Sequence, residues 1–175
     1  RTFLGWCTVE SGRLAEGIDT LVKQRSFLET AYLVPWLLTY LCWLAEAYIR
    51  AEMLQEAKQA LEQARDIFGR GGSYWYQVEG LRIEGLLAAH PQSNDAVLAE
   101  ASFEQALLLA RQRGQHGFAL RAARDLAAHL ADKGQPERAR ELLQDELRVF
   151  ADQPVRGDRA DAKALLCSLQ NAPRG

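Results

Sequence analysis

The glycine-rich stretch Gly69–Ser73 is the part of this chain whose residue types come closest to phosphate chemistry. Backbone amides in such a turn, followed by the N-terminus of a helix, can hold an anion. The stretch lacks the Lys-Ser/Thr pair that completes a P-loop, and glycine-rich turns commonly end helices because glycine adopts positive φ without strain. The sequence therefore favours a structural turn, and we expect no cofactor site in the chain.

The titratable groups that serve in catalysis or hold a metal ion are scattered along the chain. The three histidines, which lack the spacing of metal ligands, are His90, His116 and His129. His129 shares a predicted helix with Asp125 and Asp132, but an exposed polar helix face explains that pattern better than a metal site. No Ser-His-Asp or Cys-His grouping can be assembled from the sequence. We expect a non-enzymatic chain without a metal ion.

The composition limits the classes of partner. The chain has 175 residues, of which 48% are hydrophobic and 25% charged, with a formal net charge of −2. It has no basic block, which argues against direct contact with nucleic acid. The longest apolar stretch, 31–43, is interrupted by Pro35, Thr39 and Cys42, which indicates a buried helix and not a membrane span. The odd number and wide spacing of the cysteines argue against a disulfide framework and favour a cytoplasmic protein.

Small residues recur along the chain at a period of about 40 residues. The first recurring position holds Gly5, Ala45, Gly85 and Ala127, and the second holds Gly17, Ala57, Ala99 and Ala139. Repeats of this length are typical of stacked helix pairs. The recurring residues are small because a small residue where two helices cross lets their backbones approach. The sequence therefore predicts an all-α, right-handed superhelical solenoid of about four helix pairs.

The apolar period and the breakers between apolar runs place the helices. We predict them at 1–11, 14–28, 35–50, 53–68, 73–90, 96–112, 116–133, 136–150 and 158–170. Gly12 and Gly134 each end a first helix, while Gly114 and Gly117 end the second helix of the third pair. Asp95, or Ser93 before it, is a candidate N-cap.

The helices group into a single repeat domain over 1–175. Its repeats are expected at about 1–30, 35–69, 73–113 and 116–151. The helix at 158–170 carries Leu165, Leu166 and Leu169 on one face and is expected to cap the last repeat.

The spacing of small and large residues resembles the tetratricopeptide repeat (TPR), with copies longer than its usual length of about 34 residues. Four stretches are similar to the helical arrays of bacterial signal-transduction ATPases: Leu44–Tyr48 (LAEAY), Trp75–Leu87 (WYQVEGLRIEGLL), Glu100–Arg111 (EASFEQALLLAR) and Leu120–Ala127 (LRAARDLA). The resemblance implies a fragment of a larger protein, in which a P-loop ATPase and a nucleotidyl cyclase or DNA-binding transcriptional domain lie upstream. It implies no catalytic residue within this chain.

The same resemblance selects residues for a binding groove. In the TPR pattern, certain positions of each first helix point into the concave groove, and here they are Glu46, Arg50, Glu79, Arg82, Arg121, Arg124 and Asp132. Trp6 and Glu10 stand at the matching places of the first repeat. Arginine forks bind carboxylates well, so we expect an acidic peptide segment of a protein, or an anionic small-molecule effector. Alternatively, these charges pair across adjacent repeats and hold the stack together.

These features together predict a protein–protein interaction or ligand-sensing module that regulates a multidomain bacterial signalling ATPase or transcriptional regulator. The alternative is a self-association module that forms a homodimer, or a free-standing TPR adaptor.

Overall fold

Residues 4–30, 34–69 and 76–171 are described by a computed structural model, and within these ranges the regular structure is helical, with no strand. The helices are α1 (Leu4–Glu10), α2 (Leu14–Thr30), α3 (Val34–Arg50), α4 (Leu54–Gly69), α5 (Gln77–Ala89), α6 (Ala96–Gln112), α7 (His116–Asp132), α8 (Pro136–Arg148) and α9 (Asp158–Asn171). Their bounds lie within a few residues of those predicted. The predicted glycine-rich turn, apart from Gly69, lies outside the described residues.

Consecutive helices pack as the pairs α1/α2, α3/α4, α5/α6 and α7/α8, and each pair contacts the next. Within this stack, α3 also contacts α5, α5 contacts α7, and α9 packs on both α7 and α8. The apolar core runs along the stack as two clusters, one centred on α2 to α4 and the other on α5 to α9. The prediction of an all-α solenoid of helix pairs with a capping helix is confirmed.

The recurring small residues lie where the two helices of a pair cross. The five alanines of the two recurring positions have no exposed surface; they are Ala45, Ala57, Ala99, Ala127 and Ala139. A Cβ added to Gly85 would lie 2.6 Å from two ring carbons of Phe103, and one added to Gly17 would lie 2.5 Å from Cγ2 of Val9. Because real Cβ atoms do not approach so closely, these crossings require residues without a bulky side chain.

A left-handed residue follows each first helix. Gly12, Glu52, Asn94 and Gly134 have φ of +85°, +60°, +45° and +74°. The turn after α5 is longer than its counterparts and runs over 90–95, which accounts for the longer step in the repeat. At its end, Oδ1 of Asp95 accepts a hydrogen bond from the Leu98 amide at 3.0 Å, so Asp95, the first of the two N-cap candidates, caps α6.

One predicted helix stop is wrong. Gly114 adopts φ of +65° directly after α6, as expected of a C-terminal glycine, but Gly117 is the second residue of α7. A single left-handed glycine is enough to reverse the chain between α6 and α7, so the second glycine is free to enter the next helix.

Apolar contacts along both halves of the capping helix α9 hold it against the array. Ala162 and Leu169 are buried, and Leu165 and Leu166 are partly buried against the second core cluster. Nη1 of Arg140 on α8 also donates to the Leu169 carbonyl at 2.8 Å. The segment 151–157 before α9 is exposed, with φ of +51° at Gly157.

Candidate functional site

The predicted groove residues lie on the first helices of the pairs, α1, α3, α5 and α7, and most of them form one ion-pair network. We call this surface the first-helix face. The network, called here the arginine network, consists of the arginines Arg50, Arg82, Arg121 and Arg124 and the carboxylates Glu10, Glu46, Glu79, Asp125, Asp158 and Asp161. It runs from α1 to α9 without interruption.

Arg82 stands at the centre of the arginine network. Its side chain is 0% exposed, and its guanidinium pairs with Glu46 on α3, Glu79 on its own helix and Asp125 on α7. The distance from Arg82 Nη2 to Glu79 Oε1 is 2.7 Å. Burial acts to lower the pKa of Arg82, but the three carboxylates outweigh it and raise that pKa well above its usual value. One cation therefore joins three consecutive helix pairs.

Glu46 is the carboxylate shared by the most arginines. It accepts from Nη2 of Arg50 at 2.7 Å, from Arg82, and from Nη2 of Arg121 at 3.1 Å. Burial acts to raise the pKa of Glu46, but the charges of Arg82, Arg121 and Arg50 outweigh it, and the pKa falls to about 2. The glutamate is therefore ionised at neutral pH although it is buried.

Arg121 and Arg124 extend the network over α7. Arg121 Nη1 lies 2.9 Å from Glu79 Oε1, and both Nε and Nη2 of Arg124 reach Asp125 Oδ1, at 2.9 and 2.8 Å. The side chains of Arg121 and Arg124 are 16% and 19% exposed. Their remaining guanidinium nitrogens point towards the first turn of α9.

The N-terminal end of the first-helix face is aromatic and more open. Arg50 pairs with Glu10 on α1 through Nη1 at 2.8 Å, and its guanidinium carbon lies 5.2 Å from the ring centroid of Trp6. Trp6 in turn stacks on Trp43, with the ring centroids 5.8 Å apart. Arg50 and Glu10 keep a large part of their side chains exposed to solvent.

The structure thus separates the seven predicted residues. Glu46, Glu79 and Arg82 are buried and pair across repeats, which is the alternative that the sequence left open. Arg50, Arg121 and Arg124 also pair but keep some exposed surface. Asp132 is exposed at the end of α7, and no ion pair joins it to another described residue.

Asp125, Asp158 and Asp161 belong to the network, although the groove pattern did not select them. Asp125 carried a signal, because it directly follows Arg124, which lies one repeat after Arg82. Asp158 and Asp161 carried none, since the capping helix has no counterpart in the repeat.

A separate apolar cavity of about 230 Å³ lies between α3, α4 and α5. Its lining includes Leu38, Leu61, Phe68 and Leu81 together with the thiol of Cys42. Burial raises the pKa of that thiol, so it is protonated at neutral pH. At the edge of the cavity, Gly80 contributes no side chain, and a Cβ there would meet no atom within 4 Å.

Two of the three histidines take part in structural contacts, and the third, His116, is exposed at the start of α7. His90 accepts from the Gln92 amide through Nδ1 at 3.3 Å, and the ring of His129 lies 6.0 Å from that of Phe103. Over residues 4–30, 34–69 and 76–171, no group of three or more His, Cys, Asp or Glu side chains is arranged to hold a metal ion.

Comparison with solved structures identifies the architecture. The chain superposes on the crystal structure of a putative kinesin light chain from Podosopora anserina with nearly identical TPR-like repeats, with a TM-score of 0.59 and 22% identity over 96% of this chain and 82% of that chain. A variant of that protein with a single substitution gives a TM-score of 0.64 and 18% identity over the same shares. The fold is a TPR-like helical-repeat solenoid.

No protein-family model and no curated protein matches the chain. Within the part of the chain that the structure describes, no helix has both the length and the apolar character needed to cross a bilayer.

Proposed function

We propose that the chain is a protein–protein interaction module that receives a peptide segment of a partner on its first-helix face. The observation that carries this proposal is the alignment of α1, α3, α5 and α7, which presents charged and aromatic side chains of successive repeats on one continuous surface. A surface of this kind suits an extended peptide, because each repeat contacts a successive part of it. Neither metal nor catalytic chemistry is part of the proposal.

The arginines that stay partly exposed on this surface support an acidic segment or an anionic small molecule as the ligand. The side chains of Arg50, Arg121 and Arg124 are 42%, 16% and 19% exposed, and a carboxylate on any of them replaces an internal carboxylate partner. Because Glu10, Glu46, Glu79 and Asp158 among those partners lie on a different helix pair or on α9, binding changes the contacts that set the angle between helix pairs. A ligand that binds one curvature more tightly shifts the array towards it.

We further propose that this change of curvature regulates a neighbouring ATPase in a bacterial signalling protein. The similarity of the stretches at 44–48, 75–87, 100–111 and 120–127 to the arrays of such proteins supports this. The test is to read the coding sequence upstream of Arg1 in the native gene. An ATPase module with a cyclase or DNA-binding domain supports the proposal, whereas an unrelated domain in that place contradicts it.

Selection of peptides from a random display library tests the interaction module itself. Bound peptides are then titrated against the variant Arg50→Gln/Asp132→Asn on the first-helix face. The matched control is Lys58→Gln/Asp66→Asn, which makes the same charge changes on the exposed side of α4. Binding that weakens only in the first variant supports the proposal. Peptides that bind both variants equally place the docking surface elsewhere.

Self-association is the alternative that a specific observation favours. Helix α6 exposes three large apolar side chains to solvent, with Val97 81% exposed and Leu98 and Leu108 about half exposed. Sedimentation velocity over a range of concentrations tests it. If these side chains form a dimer interface, Leu108→Asp abolishes the dimer, while Val155→Asp, on the exposed segment before α9, leaves it intact.

A further inference from the structure

The first turn of α9 occupies the outward edges of the two arginines that a partner carboxylate would need. Asp158 Oδ1 lies 3.4 Å from Arg124 Nη1 and 3.8 Å from Arg121 Nε, and Asp161 Oδ2 lies 3.6 Å from Arg124 Nη1. The inward edges of the same guanidinium groups make the shorter contacts with Glu46, Glu79 and Asp125 described above. Each arginine is therefore held firmly on one side and loosely on the other.

These loose contacts leave one donor unsatisfied. Arg121 Nε is buried and has no hydrogen-bond partner among the described residues, because its nearest carboxylate, at 3.8 Å, lies beyond hydrogen-bond distance. Burial also raises the pKa of Asp158 in spite of Arg121 and Arg124, so this carboxylate is poorly stabilised in its place. A carboxylate that approached more closely would satisfy the donor and form shorter, charge-assisted hydrogen bonds.

We propose that Arg121 and Arg124 form the anchoring subsite for an acidic peptide, and that Asp158 and Asp161 of α9 occupy it as an internal competitor. The proposal rests on the proposed function and deepens it by naming the subsite and its regulation. The peptide binds by displacing the first turn of α9, while Ala162 and Leu169 keep the rest of the helix docked on α7 and α8. The exposed segment 151–157 gives that turn room to move.

The competition is tested on the full chain with one defined probe, a fluorescein-labelled octapeptide that contains four consecutive glutamates. Its affinity is measured by fluorescence anisotropy at low salt, where exposed charges are least screened. Asp158→Asn/Asp161→Asn is expected to tighten binding by about fivefold, which is the effect of one well-placed exposed ion pair. Glu62→Gln/Asp66→Asn, which makes the same change of net charge at exposed sites of α4 outside the arginine network, is expected to leave the affinity unchanged.

Two further comparisons identify the subsite and the displacement. Arg124→Gln is expected to weaken binding of the glutamate peptide by about fivefold or more. Arg138→Gln, on the exposed side of α8, is expected to leave the affinity unchanged. Hydrogen exchange of the amides at 159–161 is expected to speed up on peptide binding, because the displaced turn loses the hydrogen bonds that these amides donate to the carbonyls of Arg156 and Gly157. Circular dichroism confirms that each variant keeps its helix content.

Three results would overturn the inference. An unchanged or weakened affinity in Asp158→Asn/Asp161→Asn shows that the turn does not compete, and unchanged or slower exchange at 159–161 shows that the peptide binds over an intact turn. In either case, loss of binding in Arg124→Gln still supports the proposed function. If the glutamate peptide does not bind at all, the proposal of a subsite for an acidic peptide is wrong. The display selection is not restricted to acidic peptides, so it tests separately whether the chain is an interaction module.

Discussion

Replacing Arg82 by Met removes a fully buried cation that joins three helix pairs. Methionine fills most of the volume of the arginine stem, so the change acts mainly on charge. The side chain is fully buried, so its contacts with Glu46, Glu79 and Asp125 are shielded from solvent. Removing one partner of a buried ion pair typically costs about 3–5 kcal/mol, because the other charge stays buried without compensation.

The remaining arginines set the expected loss at the lower end of that range. After the substitution, Glu46 keeps Arg50 and Arg121, Glu79 keeps Arg121, and Asp125 keeps Arg124. We therefore expect the free energy of unfolding to fall by about 3 kcal/mol. With a urea m-value of about 2 kcal/mol/M, this loss lowers the denaturation midpoint by about 1.5 M.

Urea unfolding followed by circular dichroism at 222 nm measures this loss. The matched control is Arg138→Met, because Arg138 is exposed and its nearest carboxylate oxygens lie 3.6 and 3.8 Å away. That control is expected to lose less than about 1 kcal/mol. A double-mutant cycle compares Arg82→Met in the wild-type chain and in the Glu79→Gln variant. Arg82→Met should lower the free energy of unfolding by at least about 1 kcal/mol less in the Glu79→Gln background. Equal losses for the two arginines, together with additive effects in the cycle, would refute a stabilising role for Arg82 across the three pairs.

Three further predictions test the ionisation and backbone features. The pKa of Glu46 is about 2 in the folded chain and 4.5 when unfolded, so its ionisation contributes about 3 kcal/mol to stability above pH 4.5, and this contribution disappears as the pH falls towards 2. The variant Glu46→Gln should therefore show a flatter dependence of stability on pH between 4.5 and 2. An unchanged acid-denaturation profile would contradict the lowered pKa of Glu46. Gly80→Ala should raise the free energy of unfolding by about 0.5–1 kcal/mol, because the helix gains a better former and the Cβ meets open space. Gly85→Ala should lower the free energy of unfolding by about 1–3 kcal/mol, because the added Cβ meets the ring of Phe103. Urea midpoints that shift in the same direction for Gly80→Ala and Gly85→Ala would refute the packing argument. Glu52→Gly should raise the melting temperature, since φ of +60° costs a residue with a Cβ about 1 kcal/mol, and a lower melting temperature would show that the Glu52 side chain makes a compensating contact.

The fold could be predicted from the sequence because its signals are local and repeated. The apolar period fixes each helix, glycine fixes the left-handed turns after α1 and α7, and the small residues at 45, 57, 99 and 139 fix where helices cross. Each of these signals acts over a few residues or over one repeat, and the array multiplies it. The N-cap of α6 is a further local signal, which the sequence narrowed to Asp95 or Ser93 and the structure assigns to Asp95.

The partners of the arginines were decided only by the tertiary structure. Arg121 meets Glu46 from 75 residues away, and Asp158 faces the same network from a helix outside the repeat. Such contacts depend on how far each helix pair is rotated relative to the next and on the rotamers of long side chains. The spacing of apolar and small residues in the sequence predicts neither. The sequence identified the surface that carries the charges, while the packing of five helices determined which of those charges are buried and paired and which remain exposed to a partner.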